Sequence, residues 1–261
     1  MAELPLNTPA GILVKTTCVD YPGLVAGAFF LKGCNIRCPY CYNIGLVLSE
    51  KEIKERADYE AISNDSELNS IQELFDLMEK RQGILKGIVI SGGEPLINPY
   101  TPLIIQKAKA LGYKVKLDTN GTLPDELQAF LDNENLRPDF IAMDLKTSPS
   151  RYGETVCPVF SKFYKNESYW GKLVKRTAKI VASLPAENRE YRTVLVPSLV
   201  SKEDIPQMAE ILPENASWQF AQFLNKNCLD INYNKISPYT DKEINEIIEY
   251  AKTFIKGAEL R

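Results

Sequence analysis

Three of the chain's six cysteines fall within "LKGCNIRCPYCYN" (Leu31–Asn43), as Cys34, Cys38 and Cys41. Thiols spaced C-x3-C-x2-C can close a disulfide, hold zinc or ligate a metal cluster. The cysteines are not spread as a disulfide framework, and a reducing compartment keeps them as thiolates. A closed zinc site asks for four protein ligands, normally as two separated pairs. Cys18, Cys157 and Cys228 stand at no zinc-like spacing from the three. A redox couple of Cys38 and Cys41 would leave Cys34 idle, and c-type haem attachment needs a histidine where Tyr42 stands. An iron–sulfur cluster on three thiolates keeps one iron open for a substrate ligand, the state that catalysis can use. The spacing favours that cluster.

The chain has no histidine. This removes Ser-His and Cys-His nucleophile pairs, His-Glu metalloprotease sites and His-containing zinc sites. Its 261 residues are 44% hydrophobic and 25% charged, enough to fill a sizeable core. A net charge of −3 gives no basic face for nucleic acid. The N-terminus lacks the basic-then-apolar layout of a signal peptide, and the longest apolar run, Leu24–Leu31, is too short to span a bilayer. A soluble, cytoplasmic protein with neither a membrane nor a nucleic-acid partner is expected.

The elements that must position the cysteines follow from apolar periodicity and stop signals. Strands are expected at Leu24–Gly33, Gly87–Ser91, Tyr113–Gly121, Asp139–Lys146, Tyr191–Pro197 and Ser217–Leu224. Between them lie helices over Leu68–Met78, from a Thr101 cap with Pro102 to Gly112, near Asp125–Asp132 and near Tyr169–Leu184. A last helix opens on the Thr240–Glu243 capping box. The alternation predicts an α/β fold, most simply a single-domain partial (β/α)6 barrel with parallel strands. Its motif-bearing core covers about residues 16–224, with a C-terminal helix at about 241–256. Thr147–Asn166 forms an excursion on one rim. Ligands in such folds gather at the C-terminal strand ends. Four motifs stand there: the cysteine loop, "SGGEP" (Ser91–Pro95), "DTNG" (Asp118–Gly121) and "DLK" (Asp144–Lys146). Taken singly, each has a plainer reading. "SGGEP" is also a tight turn, Asp118, Thr119 and Asp144 also suit helix caps, Lys146 also suits a solvated strand end, and Arg192 also suits a salt bridge.

C-x3-C-x2-C with an aromatic residue, Tyr40, before the last cysteine resembles the signature of radical S-adenosylmethionine (SAM) enzymes. "SGGEP" resembles their second motif. "LDTNG" (Leu117–Gly121) and "MDLK" (Met143–Lys146) are similar to the activating enzymes of glycyl-radical enzymes. "DYPG" (Asp20–Gly23) ahead of the cysteines, with "YRTVLVP" (Tyr191–Pro197) downstream, resembles the activating proteins of anaerobic ribonucleotide reductases. The likeness runs from about Thr16 to Leu224, and Tyr42 stands where that group often has histidine.

The resemblance implies one 4Fe–4S cluster on Cys34, Cys38 and Cys41, with SAM chelating the open iron through its amino and carboxylate groups. It implies that Gly92 and Gly93 admit the methionine end and that Glu94 accepts hydrogen bonds from the amine. Lys146 would face the SAM carboxylate, Arg192 the ribose or carboxylate, and Tyr40 the adenine. Ser91, Asp118 and Asn120 complete the expected cofactor-binding set. Asp118, Thr119 and Asp144 would hold a monovalent cation. The implied activity is reductive cleavage of SAM and abstraction of a hydrogen atom. That abstraction installs a glycyl radical on a partner enzyme, expected to be an anaerobic ribonucleotide reductase. A flavodoxin- or ferredoxin-type donor would supply the electron. Two other readings compete: a radical SAM enzyme acting on a small molecule such as a purine or nucleoside, and a non-catalytic zinc or redox module.

Overall fold

Sequences such as AGAFFL and GIVISG are apolar along almost their whole length, the pattern of strands in a parallel sheet that is covered on both faces. A computed structural model describes residues 4–55, 68–156 and 166–261. The described residues of Met1–Cys34, Asn43–Asp118 and Gln128–Phe140 form one compact unit, and those of Asn35–Tyr42, Thr119–Leu127 and Ile141–Arg261 form another.

The first unit is built on β1 (Pro9–Thr17), β2 (Ala26–Leu31), β3 (Asn69–Ser70), β4 (Gly87–Gly92) and β5 (Lys114–Thr119), in the order β3-β1-β2-β4-β5. Strands β2, β4 and β5 run parallel, while β1 is antiparallel to both β2 and β3. Leu31 pairs with Gly92 and Ile90 with Leu117, so the register brings the C-terminal ends of these strands level. Phe29, Leu31, Ile88, Val89, Ile90, Val115 and Leu117 are fully buried, each burial contributing about 1.5–3 kcal/mol before entropy is counted. Helices α1 (Ile44–Val47) and α2 (Glu50–Lys54) follow β2, α3 (Ile71–Lys80) precedes β4 and α4 (Thr101–Ala110) precedes β5. Helix α3 begins where Ser70 Oγ accepts from Glu73 N at 3.2 Å and Glu73 Oε2 accepts from Ser70 N at 2.6 Å. It turns Ile71, Leu74, Leu77 and Met78 inward.

The second unit is built on β6 (Phe140–Asp144, of which Phe140 belongs to the first unit), β7 (Arg189–Leu195), β8 (Ser217–Gln222) and β9 (Gly257–Leu260), parallel and in that order. Helix α5 (Pro124–Asp132) leads towards β6 in the chain, followed by α6 (Tyr152–Thr155), α7 (Glu167–Ala182), α8 (Ile205–Ala209) and α9 (Asp241–Lys252). Trp218 is fully buried, yet its Nε1 donates to Thr193 Oγ1 at 2.9 Å, so no polar atom of the ring is stranded. The Tyr191 hydroxyl likewise donates to the Ala178 carbonyl of α7 at 3.2 Å. No helix among the described residues is long and apolar enough to cross a membrane.

All six expected strands form, and the fold is α/β with mostly parallel pairing. Strands β1, β3 and β9 add to those six, and β1 pairs antiparallel with both β2 and β3. Strand β1 escapes a period-two reading because Ala10 and Gly11 are both buried and Ile12 to Val14 are all half-buried. The C-terminal helix expected to reach residue 256 stops at Lys252. Ile255 is buried beyond it, and Gly257 then pairs with Ser217 to start β9. Thr101 is not a cap. It is the first helical residue after Tyr100, and its Oγ1 donates to the Pro95 carbonyl at 2.6 Å. Thr240 and Glu243 do form the expected capping box. Cys157 and part of the Thr147–Asn166 excursion lie outside the described residues.

Candidate cofactor site

In the first unit, the "SGGE" turn is fastened to the segment that leads to Cys34. Gly93 N donates to the Leu31 carbonyl at 2.9 Å and Glu94 N to the Gly33 carbonyl at 2.8 Å. Gly92 has φ +117°, a conformation open to glycine, and a Cβ there would overlap the Leu31 backbone. A Cβ on Gly93 would overlap the Gly33 carbonyl and approach Cys34 Cβ to 3.2 Å. Both glycines are therefore required by close backbone approach to the cysteine loop. Ser91, beside them, is half-buried and pairs with Phe30 in the sheet. Glu94 is fully buried, and its Oε1 accepts from Leu96 N at 3.1 Å, capping the short turn Pro95–Ile97. At the end of β5, Lys116 Nζ lies 2.7 Å from Asp118 Oδ1.

In the second unit, Asn35–Tyr42 is held on several sides. Asn120 Nδ2 donates to Asn35 Oδ1 at 2.8 Å, Asn35 Nδ2 to Thr122 Oγ1 at 2.9 Å, and Thr122 Oγ1 to Asn120 Oδ1 at 2.6 Å. This closed triangle ties the residue after Cys34 to the "DTNG" turn, where Thr119 is buried and its Oγ1 accepts from Gly121 N at 3.3 Å. Arg37 N donates to the Val156 carbonyl at 3.1 Å. Leu229 N donates to the Cys41 carbonyl at 2.9 Å and Asp230 N to the Pro39 carbonyl at 2.8 Å. Cys41 N closes a turn on the Cys38 carbonyl at 3.0 Å. Cys38 is buried, Cys34 and Cys41 are half-buried, and all three remain thiols.

The end of β6 carries an ionic group. Asp144 Oδ1 accepts from Arg192 Nε at 2.8 Å, and its Oδ2 accepts from Lys146 Nζ at 3.2 Å. Burial pulls the Lys146 pKa down, but the Asp144 carboxylate, then Tyr40 and Cys38, outweigh it and hold the ammonium well above the usual lysine range. Burial pushes the Tyr40 phenol well above its ordinary value, and Lys146 offsets this only in part. The Tyr40 hydroxyl is buried with no hydrogen-bond partner, an arrangement that costs stability until something polar meets it.

The structure thus brings Lys146, Asp144 and Arg192 together, and separately joins Asn120 to the cysteine loop. It also shows residues that sequence reasoning missed: Asn35, Thr122, Lys116 and the Leu229–Asp230 strap. The K-x-D spacing of Lys116 and Asp118, which puts both on one face of a strand, was the readable signal among these. The Asn35 and Leu229 contacts join distant segments and leave no local pattern.

The Radical SAM superfamily profile matches residues 29–212. A protein of Methanocaldococcus jannaschii, provisionally named as a glycyl-radical enzyme activating enzyme, is 30% identical over 252 residues, spanning 95% of this chain and 94% of its own. Shorter matches join the chain to 7-carboxy-7-deazaguanine synthase of Aquifex aeolicus, 32% identical over 111 residues and covering 42% and 43% of the two chains. Pyruvate formate-lyase-activating enzyme of Staphylococcus epidermidis is 30% identical over 132 residues, or 49% of each chain. The crystal structure of Streptococcus suis SuiB bound to S-adenosylmethionine shares the fold with a TM-score of 0.55 at 17% identity, covering 87% of this chain and 47% of that one.

The chain belongs to the radical SAM superfamily. It is a radical SAM enzyme and a homologue of glycyl-radical enzyme activating enzymes, and the family implies a 4Fe–4S cluster and SAM. The residues present fit those groups. Three thiols supply the donor set, two glycines keep the adjoining turn free of side chains, and Tyr40 offers a buried hydroxyl that lacks a partner. Among the described residues, no three His, Cys, Asp or Glu side chains are grouped closely enough to hold one metal ion. A four-iron cluster asks for a different spacing, since its cysteines bind separate irons.

Proposed function

We propose that this enzyme places a glycyl radical on a partner enzyme, an anaerobic ribonucleotide reductase, using an electron from a flavodoxin- or ferredoxin-type donor. The observation that carries the reading is the end-to-end match to the M. jannaschii protein named for glycyl-radical enzyme activation. The "DYPG" turn and "YRTVLVP" strand support the choice of reductase. Cys34, Cys38 and Cys41 hold the cluster. Bound and reduced there, the cluster would supply the electron for reductive cleavage of SAM, the chemistry on which hydrogen abstraction depends.

The chain's own residues bind and orient. Gly92 and Gly93 keep the turn beside Cys34 free of side chains, so backbone can approach the methionine end of SAM. The Glu94 carboxylate would accept hydrogen bonds from the SAM amine, a charge-assisted contact. Lys146 stays protonated beside Asp144 and presents a point charge to the SAM carboxylate. Arg192 is fixed by Asp144 and would serve the ribose or carboxylate. Ser91, Asn120 and Tyr40 would complete the cofactor-binding set, with Tyr40 serving the adenine. No protein general base is needed, which suits a chain without histidine.

A second reading has its own support. The match to 7-carboxy-7-deazaguanine synthase favours a small molecule over a protein as the hydrogen donor, such as the purine or nucleoside expected from the sequence, although it spans 42% of this chain. Deuterium transfer separates the two. With reduced enzyme, SAM and a reductase whose glycines are deuterated, label is expected in 5′-deoxyadenosine. Label arriving instead from a deuterated purine would replace the activase reading with the small-molecule one.

A further inference from the structure

The monovalent cation implied by resemblance on Asp118, Thr119 and Asp144 does not fit the side chains as they stand. In the first unit Lys116 is fully buried and its Nζ lies 2.7 Å from Asp118 Oδ1, whose own side chain is 8% exposed. The two residues share one face of β5. A lysine without solvent keeps its charge only against a fixed anion, and a buried carboxylate asks for a cation in return. The same Nζ stands 5.9 Å from the centre of the Phe140 ring, within the range of a cation–π contact. In the second unit both oxygens of Asp144 are engaged, one by Arg192 and the other by Lys146. Carboxylates neutralised in this way have little net charge left to attract an alkali ion.

We propose that Lys116 is a built-in replacement for the monovalent cation. Its ammonium neutralises Asp118 and so fixes the strand end from which Thr119 and Asn120 continue. SAM binding is consequently independent of sodium and potassium. Lys116 acts through Asp118 as a positioning residue. The inference rests on SAM binding, which the family implies, and not on the identity of the hydrogen donor.

The test uses the full chain reconstituted with its cluster without oxygen, and the cluster is left oxidised so that SAM stays intact. Equilibrium dialysis measures SAM affinity at one ionic strength in tetramethylammonium, sodium or potassium chloride. The wild type is expected to keep one dissociation constant, within about twofold, in all three salts. Lys116→Ala is expected to retain its iron and lose about tenfold in affinity in tetramethylammonium. Sodium, potassium or methylammonium should restore it, with saturable broadening of the sodium NMR line in the variant alone. Lys116→Gln goes through the same comparison if the alanine variant is insoluble.

A wild type that binds SAM about tenfold better in sodium or potassium would overturn the proposal. So would a variant that binds as the wild type does in tetramethylammonium. A loss that no cation repairs would also overturn it, because a lysine of purely structural importance behaves that way. None of these readouts involves a hydrogen donor, so failure here is distinguishable from failure of the activase reading.

Discussion

The Glu94 carboxylate already has one hydrogen bond inside the protein, from Leu96 N at 3.1 Å, so a substitution there changes both the turn and any contact with SAM. Two variants separate these effects. Glu94→Gln keeps an acceptor for Leu96 N and removes the charge, whereas Glu94→Ala removes both. The glutamine variant is expected to unfold in urea at the wild-type midpoint, keep its iron and bind SAM about tenfold more weakly. The alanine variant should lose a further ~1–2 kcal/mol of stability, since a buried N–H is left without its partner. Wild-type SAM affinity in the glutamine variant would remove Glu94 from the proposed site. At this scale, legibility depended on locality. The C-x3-C-x2-C spacing of Cys34, Cys38 and Cys41 could be read because it is written within one short stretch of chain. For Lys116 the K-x-D spacing to Asp118 was equally local, but its complete burial was not legible, because lysine is almost never fully buried unless paired and composition gives no warning of it.

Among the elements, the turn before α8 shows how a carboxylate can hold two segments together. Asp204 accepts from Ser201 N at 2.9 Å, from Ser148 Oγ at 2.9 Å and from Arg151 Nη1 at 2.9 Å, joining it to the segment that follows β6. Burial raises its pKa, but the hydrogen bonds from the Ser201 backbone, Arg151 and Ser148 outweigh that and hold it below the ordinary aspartate value. The unfolded chain therefore binds this proton more readily than the folded one. The stabilisation is present above the unfolded value of about 3.9 and is lost as pH falls through the lower folded value. Asp204→Asn should be less stable than wild type at neutral pH, and its urea midpoint should fall less steeply on acidification. Parallel acid limbs for the two proteins would contradict this role. Strands buried on both faces were legible at the element scale because they read as apolar runs. Strand β1 was not, because its exposure pattern follows neither period two nor full burial. The end of α9 was also hidden, since helical periodicity continues through Ile255 although the helix stops at Lys252.

For the molecule as a whole, motif order along the chain carried more than any single motif. The cysteine loop, "SGGE", "DTNG" and "DLK" stand at the ends of β2, β4, β5 and β6 in chain order, and the family profile covers all of them. What remained illegible is the partner, because residues that meet another protein's backbone need no particular spacing. Association with such a partner should be modest in affinity, since its glycine loop must leave its own fold before it can bind. The most direct measurement mixes the reduced, cluster-loaded enzyme with SAM and an anaerobic ribonucleotide reductase, then records the electron paramagnetic resonance spectrum. A glycyl-radical doublet that grows with time and is absent without SAM is the predicted result. SAM cleavage under the same conditions with no radical on the reductase would contradict it.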